Sequence, residues 1–384
     1  MKHKVWYLAL SFICVLAFSS CRTNNQQNAQ QPADLLVGVY GSLTGTTATF
    51  GISTRNGIAM AVDEVNQAGG IFGKKIRVIV EDDQGKPEEA QTVVTKLINK
   101  DRVIAVLGEV ASSRSLAAAP VCQQNRIPMI TPSSTNPRVT QVGDYIFRVC
   151  FIDPFQGLVM AKFASNSLKI KNVAVLRDIK NDYSVGLADV FVENFTKLGG
   201  AIVSDESYSE GDTDFSAQLT SIKSKNPQAI YVPGYYTEVG LIARQARKLG
   251  ITVPLIGGDG WDSPKLWEIG GEALNDCFYS NHYSVDDPSP AIQKFVAGYK
   301  TRNNDQVPDA IAALAYDAAR VLFDAWRRAG STEGSKVRDA LAQTKEFPGV
   351  TGKITLDANR NAVKPAVVLR VKNGKLEYVE TITP

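Results

Sequence analysis

Hydroxyl groups follow two apolar segments of the chain. Ser112 and Ser113 come shortly after "VIAVLG", and the loop "ITPSSTNP" places Ser133, Ser134 and Thr135 directly after "IPMI". Hydroxyl groups and the free N–H groups at the start of a helix together suit a carboxylate. A helix cap or a proline-bounded turn would need only one such hydroxyl each. The pattern predicts either a carboxylate site or two ordinary polar loops.

Asp259 is the candidate for the opposite charge. It lies between two glycines in "GGDGWD", directly after the apolar segment "VPLI". Glycine on both sides lets backbone approach and leaves the carboxylate free to point into a cleft. An ammonium group would be its natural partner, and a turn aspartate is the alternative interpretation.

Catalytic and metal-binding patterns are absent from the sequence. His282 is the only histidine beyond His3, so a histidine-based triad or metal site would depend on it alone. A single histidine beside Tyr283 is more often a structural hydrogen-bonding residue than a ligand contact. "GIFGKK" has Lys75 where a phosphate loop requires Ser or Thr. We therefore expect a protein that is not an enzyme, with no catalytic residue, no metal and no cofactor.

The elements that must position these residues alternate between strand and helix. From Leu35 onward, short apolar strands such as "LLVGVYG" alternate with helical patterns, and the same order restarts near residue 154 with "NVAVLRD". Repeated strand–helix–strand units predict an α/β fold with parallel sheets flanked by helices. Two such halves in series predict two Rossmann-like lobes hinged around a central cleft, where ligand sites collect.

The lobes are predicted with the following boundaries. Lobe 1 comprises residues 35–153 plus 284–352, and lobe 2 comprises residues 154–283 plus 353–384. The chain ends in a predicted hairpin whose turn is Asn373-Gly374.

The first residues have the pattern of a secretory signal. Lys2 and Lys4 precede an apolar run over residues 5–18, and small residues precede Cys21. Residues 1–20 are thus the predicted signal peptide, Cys21 the predicted lipidation site, and residues 21–34 a flexible tether. Phe18 stands where bacterial lipoprotein signals prefer Leu, which leaves plain cleavage or an uncleaved anchor as alternatives.

Composition narrows the classes of partner. The 384 residues carry a formal net charge of +3 and 44% apolar residues, with no basic stripe, so nucleic acid is not an expected partner. Cys122, Cys150 and Cys277 remain beyond Cys21, and this odd number favours buried free thiols over a disulfide framework.

Several motifs in the same order resemble a known family. Six stretches are similar to the type I periplasmic binding proteins of the leucine/isoleucine/valine-binding group. They are the run from "GSLTGTTATF" to "EDDQGKPEEA", then "ITPSSTNP", "NDYSVGLA", "FSAQL", "GYYTE" and "GGDGW". The proteins of this group are the solute receptors of ABC importers for amino acids. The resemblance extends from Leu35 to about Val371, and it implies the two-lobe fold of that family.

The resemblance also implies roles for individual residues. The ligand carboxylate would be held by Ser112, Ser133, Ser134 and Thr135, and its ammonium by Asp259 and Thr135. The aromatic wall would be Phe50, Tyr183 and Tyr235.

The chain departs from the family pattern at three positions. Ala111 stands where branched-chain proteins commonly have a disulfide cysteine, and Asp259 stands where well-known members have Glu. Arg114 lies near the serine pair and would face either a carboxylate in the ligand side chain or solvent. With these departures, the resemblance implies an amino-acid ligand without fixing it as leucine.

The combined prediction is an extracytoplasmic solute-binding lipoprotein of an ABC importer. It would be a monomer, periplasmic or at the cell surface, anchored to the membrane by lipid, and would deliver a branched-chain or other neutral amino acid to a permease. The alternatives are a receptor for another small solute, such as an amide, urea or aromatic acid, and a ligand sensor for a signalling partner.

Overall fold

The computed structural model describes residues 34–384. Its first sheet contains five parallel strands, as the alternating pattern predicts. They are β1 (Leu35–Gly41), β2 (Ile76–Asp82), β3 (Ala105–Leu107), β4 (Met129–Thr131) and β5 (Ile146–Arg148). Their order across the sheet is β2-β1-β3-β4-β5.

The second sheet contains seven strands and begins in the second half of the chain. They are β6 (Asn172–Asp178), β7 (Ala201–Tyr208), β8 (Ala229–Val232), β9 (Leu255–Gly257), β10 (Cys277–Asn281), β14 (Ala366–Lys372) and β15 (Lys375–Ile382). A small separate sheet between β10 and β14 in the chain contains β11 (Phe347–Gly349), β12 (Gly352–Leu356) and β13 (Ala362–Val363). The order is β15-β14-β10-β9-β8-β6-β7. The strands from β7 to β10 pair in parallel, whereas β14 and β15 are antiparallel.

Twelve α-helices are present among the described residues. They are α1 (Ala48–Gln67), α2 (Pro87–Asn99), α3 (Ser112–Asn125), α4 (Arg138–Gln141), α5 (Asp153–Lys162), α6 (Asp182–Lys197), α7 (Ser216–Ser224), α8 (Tyr236–Lys248), α9 (Pro264–Gly270), α10 (Pro290–Arg302), α11 (Ala310–Ala329) and α12 (Gly334–Ala342). They flank the two sheets, and the α/β fold with parallel sheets flanked by helices is therefore confirmed.

The helix α2 forms as its sequence predicts. Pro87 occupies its first turn, where a missing N–H costs no hydrogen bond, and Glu88 and Glu89 lie near the positive end of the helix dipole. Its inward face consists of Ala90, Val93, Val94, Leu97 and Ile98, all buried. This face covers one side of the first sheet together with α3.

The other side of the first sheet is covered by α1 and α11. Gly57 permits their close packing, because a Cβ atom there would lie 2.1 Å from the carbonyl oxygen of Ala312. Most of α11 is buried, including Trp326 and Phe323. The helix therefore forms the centre of this core.

The chain passes between the two sheets more than once. The helices α10, α11 and α12 contribute to the core of the first sheet, and β14 and β15 then return to the second. Ile354 and Leu356 of β12 also lie in the first core, although both follow the predicted lobe boundary at residue 353. The exact division of the lobes stays a prediction.

The predicted hairpin at the end of the chain is present. β14 and β15 pair antiparallel, and Asn373 and Gly374 form the turn with φ values of 50° and 74°. Asn and Gly are the residues that tolerate this left-handed backbone in a two-residue turn.

One further sequence expectation concerns the cysteines. Cys122, Cys150 and Cys277 are buried free thiols in the described part of the chain. No helix within residues 34–384 is long and apolar enough to cross a membrane. The predicted signal peptide, Cys21 and nearly all of the tether lie outside the described residues.

Candidate functional site

Loops that follow the strands of both sheets meet in one pocket. The lining residues are Phe50, Val110, Ser133, Tyr183, Tyr235, Asp259, Gly260 and Ile311. Most follow the carboxyl ends of strands in the two sheets, where ligands of open α/β sheets bind. Five of the predicted site residues therefore come together here: Phe50, Ser133, Tyr183, Tyr235 and Asp259.

The pocket lies in a closed cleft. Its free volume of about 10 Å³ is close to the space that one water molecule needs. Hydrogen bonds join the two sides, including Thr49 Oγ1 to Ser263 Oγ at 2.9 Å and Thr237 Oγ1 to the Thr46 carbonyl at 2.6 Å. A ligand larger than water therefore requires the two sides to move apart.

The carboxylate of Asp259 is buried and held from three directions. Its Oδ1 accepts a hydrogen bond from Gln156 Nε2 at 2.8 Å. Its Oδ2 lies 2.9 Å from Nε2 of His282 and accepts a longer bond of 3.4 Å from Ser133 Oγ. A carboxylate offers about four lone-pair positions, so one direction remains for a further donor in the pocket.

Glycines on both sides of Asp259 make this arrangement possible. A Cβ atom on Gly258 would lie 2.4 Å from the Tyr183 hydroxyl and 2.8 Å from Gln156 Nε2. A Cβ atom on Gly260 would lie 2.8 Å from the Tyr235 ring. The two glycines thus leave room for the aromatic and amide side chains beside Asp259.

The serine pair at the start of α3 does not cap that helix. The capping position is Ala111, which has no side-chain cap. Ser112 Oγ accepts the N–H of Asn136 at 3.2 Å, and Ser113 Oγ donates to Asp182 Oδ2 and accepts the Asp182 N–H, both at 2.9 Å. The capping interpretation is therefore wrong, and the first N–H groups of α3 have no acceptor within the helix.

The remaining predicted hydroxyls lie beside the pocket and do not line it. The Ser134 hydroxyl donates to the carbonyls of Glu109 and Val110 at 2.9 and 3.0 Å, which fixes the loop after β4. Thr135 is buried, and its carbonyl accepts the N–H of Asp153 at 3.0 Å. Contacts of Ser112, Ser134 and Thr135 with a ligand stay predictions.

The aromatic residues form one continuous wall. Tyr183 and Tyr235 stack with ring centres 5.3 Å apart, and Phe50 contacts Tyr235 edge-on at 5.4 Å. The Tyr183 hydroxyl accepts the Gly260 N–H at 3.1 Å. Burial raises the pKa of both tyrosines well above the ordinary value, so the wall is uncharged at neutral pH.

Arg114 is neither exposed to solvent nor part of the pocket lining. Its guanidinium is buried, with Nη1 donating to Ser42 Oγ at 2.8 Å and Thr47 Oγ1 at 2.9 Å. The same nitrogen lies 3.5 Å from Glu109, and Nη2 lies 2.9 Å from Glu210, which follows β7 of the second sheet. The expectation of a solvent-facing side chain is wrong, because Arg114 bridges the two sides of the cleft.

Sequence reasoning missed part of the site. Val110 and Ile311 form its apolar lining, and Gln156 holds Asp259 from the first turn of α5. Apolar residues next to a loop carry no distinct signal, and Ile311 and Gln156 lie far along the chain from the residues that they contact. Among residues 34–384, no group of three or more acidic, histidine or cysteine side chains could hold a metal ion.

Comparisons with known proteins agree with this geometry. The family model described as "Periplasmic binding protein" matches residues 35–375. The Leu/Ile/Val-binding protein BraC3 of Rhizobium johnstonii is 34% identical over 325 residues, which cover 84% of this chain and 87% of that protein.

Two solved structures are similar over nearly the whole fold. The leucine-binding protein LivK of Thermotoga maritima has a TM-score of 0.88 and 43% identity, covering 91% of this chain and 99% of LivK. LivJ of Streptococcus pneumoniae, solved in complex with isoleucine, has a TM-score of 0.87 and 36% identity, covering 92% of this chain and all of LivJ. The chain therefore belongs to the type I periplasmic binding proteins, in the leucine/isoleucine/valine-binding family.

Proposed function

We propose that this protein is the amino-acid receptor of an ABC importer and binds its ligand in the pocket that contains Asp259. Membership of the family makes it an extracytoplasmic solute-binding protein. The observation that carries the proposal is a buried carboxylate with one open coordination direction, beside the Ser133 hydroxyl in a closed cleft. A zwitterion fits such a site, because each of its charges meets the opposite charge or dipole.

The ligand's charged groups would divide between the two sides of the cleft. Asp259 and the oxygen atoms of Thr135 would hold the ammonium group. The carboxylate would lie at the start of α3, near Ser112 and Ser133, with the loop of Ser134 and Thr135 supplying further donors. The helix dipole and free N–H groups there stabilise a negative charge.

The apolar part of the pocket supports a neutral side chain. Phe50, Val110 and Ile311 line the pocket with apolar groups, and Tyr183 and Tyr235 add two uncharged rings. Relatives named for leucine, isoleucine and valine support a branched-chain ligand. We infer that the ligand is a neutral, aliphatic amino acid.

An aromatic acid is the second candidate. A solute-binding protein of Rhodopseudomonas palustris, 26% identical with a TM-score of 0.82, was solved in complex with 3,4-dihydroxybenzoic acid. The aromatic wall of the present pocket suits such a ring. An aromatic acid has no ammonium group, however, and would leave Asp259 without its partner.

The first experiment separates these ligands by calorimetry. We expect leucine, isoleucine or valine to bind, and the matching acids that lack the α-amino group to bind at least about 30-fold more weakly. Asp259→Asn should raise the dissociation constant by a similar factor, since an unpaired buried charge costs about 2–5 kcal/mol. Glu193→Gln, on the exposed surface of α6, is the control and should bind like the parent. Equal binding of the parent and Asp259→Asn, or preference for a benzoate, would reject the amino-acid proposal.

We further propose that Cys21 carries lipid and that the closed, liganded form docks on a membrane permease. The pattern of residues 1–21 supports the first proposal, and family membership supports the second. In a bacterial host, the parent should remain with the membrane fraction after a high-salt wash, and Cys21→Ser should be released from it. Release of both proteins would show that Cys21 is not lipidated.

A further inference from the structure

His282 contacts the ligand-binding carboxylate from behind. It directly follows β10, its side chain is fully buried, and its Nε2 lies 2.9 Å from Oδ2 of Asp259. Its ring stacks on Phe151 with centres 3.9 Å apart and an angle of 22°. Phe151 fixes the plane of the ring, so the nitrogen is held in line with the carboxylate.

The two ring nitrogens have different surroundings. Nε2 faces a carboxylate oxygen, which can only accept a hydrogen bond from it while ionised. Nδ1 is buried and has no hydrogen-bond partner among the described residues. The neutral ring therefore carries its hydrogen on Nε2 and donates it to Asp259, and Nδ1 is the atom that would take up a proton.

Burial works against a charged ring in this closed form. It lowers the pKa of His282, while the hydrogen bond and charge of Asp259 partly oppose that shift. The other charged groups that act on the ring are Lys364, which disfavours its protonation, and Asp262, which favours it. Asp153 and Cys150 face Asp259 from the start of α5 and the segment before it.

Gln156 completes the support of the carboxylate. Its Nε2 donates to Asp259 Oδ1 at 2.8 Å and to Ser280 Oγ at 2.9 Å. Gln156 thus occupies one lone-pair position on Oδ1 of Asp259, and His282 occupies one on Oδ2. The free direction of Asp259 is thereby aimed at the pocket that also contains Ser133.

We infer that His282 is a positioning residue for Asp259 and that ligand binding is coupled to release of a proton from its Nδ1 atom. This inference rests on the proposed function, since the ammonium group of the ligand is the cation that meets Asp259. In the open, ligand-free protein, an imidazolium can balance the carboxylate. When the ligand brings its ammonium and the cleft closes, a second cation is unfavourable, and the Nδ1 proton leaves to solvent while Nε2–H stays on Asp259.

The sign of the pH dependence follows from this exchange. A group whose pKa is lower in the liganded form must lose a proton on binding, so binding weakens as pH falls. We expect the dissociation constant of a bound amino acid to rise by up to tenfold per pH unit below about pH 6.5, the ordinary histidine pKa. Above about pH 7.5, little dependence due to His282 should remain.

Two substitutions separate positioning from titration. His282→Gln keeps an N–H donor near the Nε2 position but has no titratable group, whereas His282→Phe keeps a flat ring on Phe151 and has no donor. We expect His282→Gln to bind within about threefold of the parent at pH 7.5 and to lose the acid dependence. His282→Phe should bind roughly tenfold or more weakly at pH 7.5, because a hydrogen bond to a charged group is lost.

The measurement is calorimetry with the amino acid that binds the parent most tightly, from pH 5 to pH 8. At pH 6, repeating the titration in buffers with different ionisation heats gives the number of protons released per bound ligand. This number should be measurable for the parent and close to zero for His282→Gln. Melting temperatures of the ligand-free variants show whether each is folded. If His282→Phe is unfolded, the proton count of His282→Gln alone decides.

The outcomes distinguish this inference from the proposed function. If Asp259→Asn binds weakly but His282→Gln keeps the acid dependence of the parent, the coupling to His282 is wrong and the ammonium site stands. A folded His282→Phe that binds like the parent would likewise reject the positioning role. If Asp259→Asn binds like the parent, the proposed ammonium site itself is wrong.

Discussion

Asp153 brings a second carboxyl group close to Asp259, and the surroundings of the two carboxyl groups differ. It is buried at the first turn of α5. Burial raises its pKa to about 8, and the negative charge of Asp259 acts in the same direction. At neutral pH, Asp153 is therefore mostly protonated in the folded protein.

This difference from an ordinary aspartate makes stability depend on pH. In the unfolded chain, the carboxyl group ionises near its ordinary pKa of 3.8, whereas the folded protein keeps the proton up to about pH 8. Because the folded state binds the proton more tightly, the free energy of unfolding falls as pH rises from about 4 to about 8. The contribution is present below this range and lost above it.

Asp153→Asn should remove that dependence. The variant keeps the size of the side chain but cannot ionise, so its free energy of unfolding should rise relative to the parent by up to about 1.4 kcal/mol per pH unit between pH 5 and pH 8. Urea unfolding of the chain from Arg22 onward measures the difference at each pH. Asp305→Asn, at an exposed position, is the control and should give a difference that is independent of pH. A constant difference for Asp153→Asn as well would mean that Asp153 ionises normally in the folded protein.

At the scale of single elements, local patterns predicted most of the helices and strands. The inward face of α2 follows from the spacing of Ala90, Val93 and Leu97, and the turn at Asn373-Gly374 follows from the backbone that these two residues tolerate. Both depend on neighbours in sequence. The physical causes lie within a few residues, and the sequence carries them directly.

Contacts between distant elements could not be predicted in the same way. Glu210 is 96 residues from Arg114, and His282 is 23 residues from Asp259 with a helix between them. Nothing in the neighbourhood of Arg114 or His282 identifies these partners, because packing of whole elements brings them together. The sequence thus predicted the polar loops as a candidate site, whereas contacts with distant residues such as Glu210 and His282 required the fold.

Across the whole fold, the N-terminal ends of α3 and α6 meet at the cleft. Ser113 binds Asp182, the first residue of α6, through two hydrogen bonds, and Asn136 Nδ2 donates to the Asp182 carbonyl at 2.8 Å. The ion pair of Arg114 and Glu210 lies beside them, between the first and second sheets. Because these contacts join the two sides of the cleft, they stabilise its closed form.

Glu210→Gln tests how much the ion pair contributes to closure. The side chain of Glu210 is 30% exposed, so water screens the pair and its loss should cost about 1 kcal/mol. The apparent dissociation constant of the amino acid should rise roughly 5-fold at low salt, since apparent affinity follows the population of the closed form. The gap between variant and parent should narrow at high salt.

Small-angle scattering and a matched control decide whether this effect acts through closure. The radius of gyration of ligand-free Glu210→Gln should be at least as large as that of the ligand-free parent, and both should contract to the same value at saturating amino acid. Glu193→Gln removes an exposed ion pair that lies within α6 alone, and it should change neither quantity. If Glu210→Gln binds more weakly and its radius of gyration stays large at saturating amino acid, the substitution disturbs the closed structure itself. Affinity equal to the parent at low salt would show that the pair does not stabilise closure, leaving the hydrogen bonds across the cleft, such as those of Ser113 to Asp182 and Thr49 to Ser263, as the contacts that hold it shut.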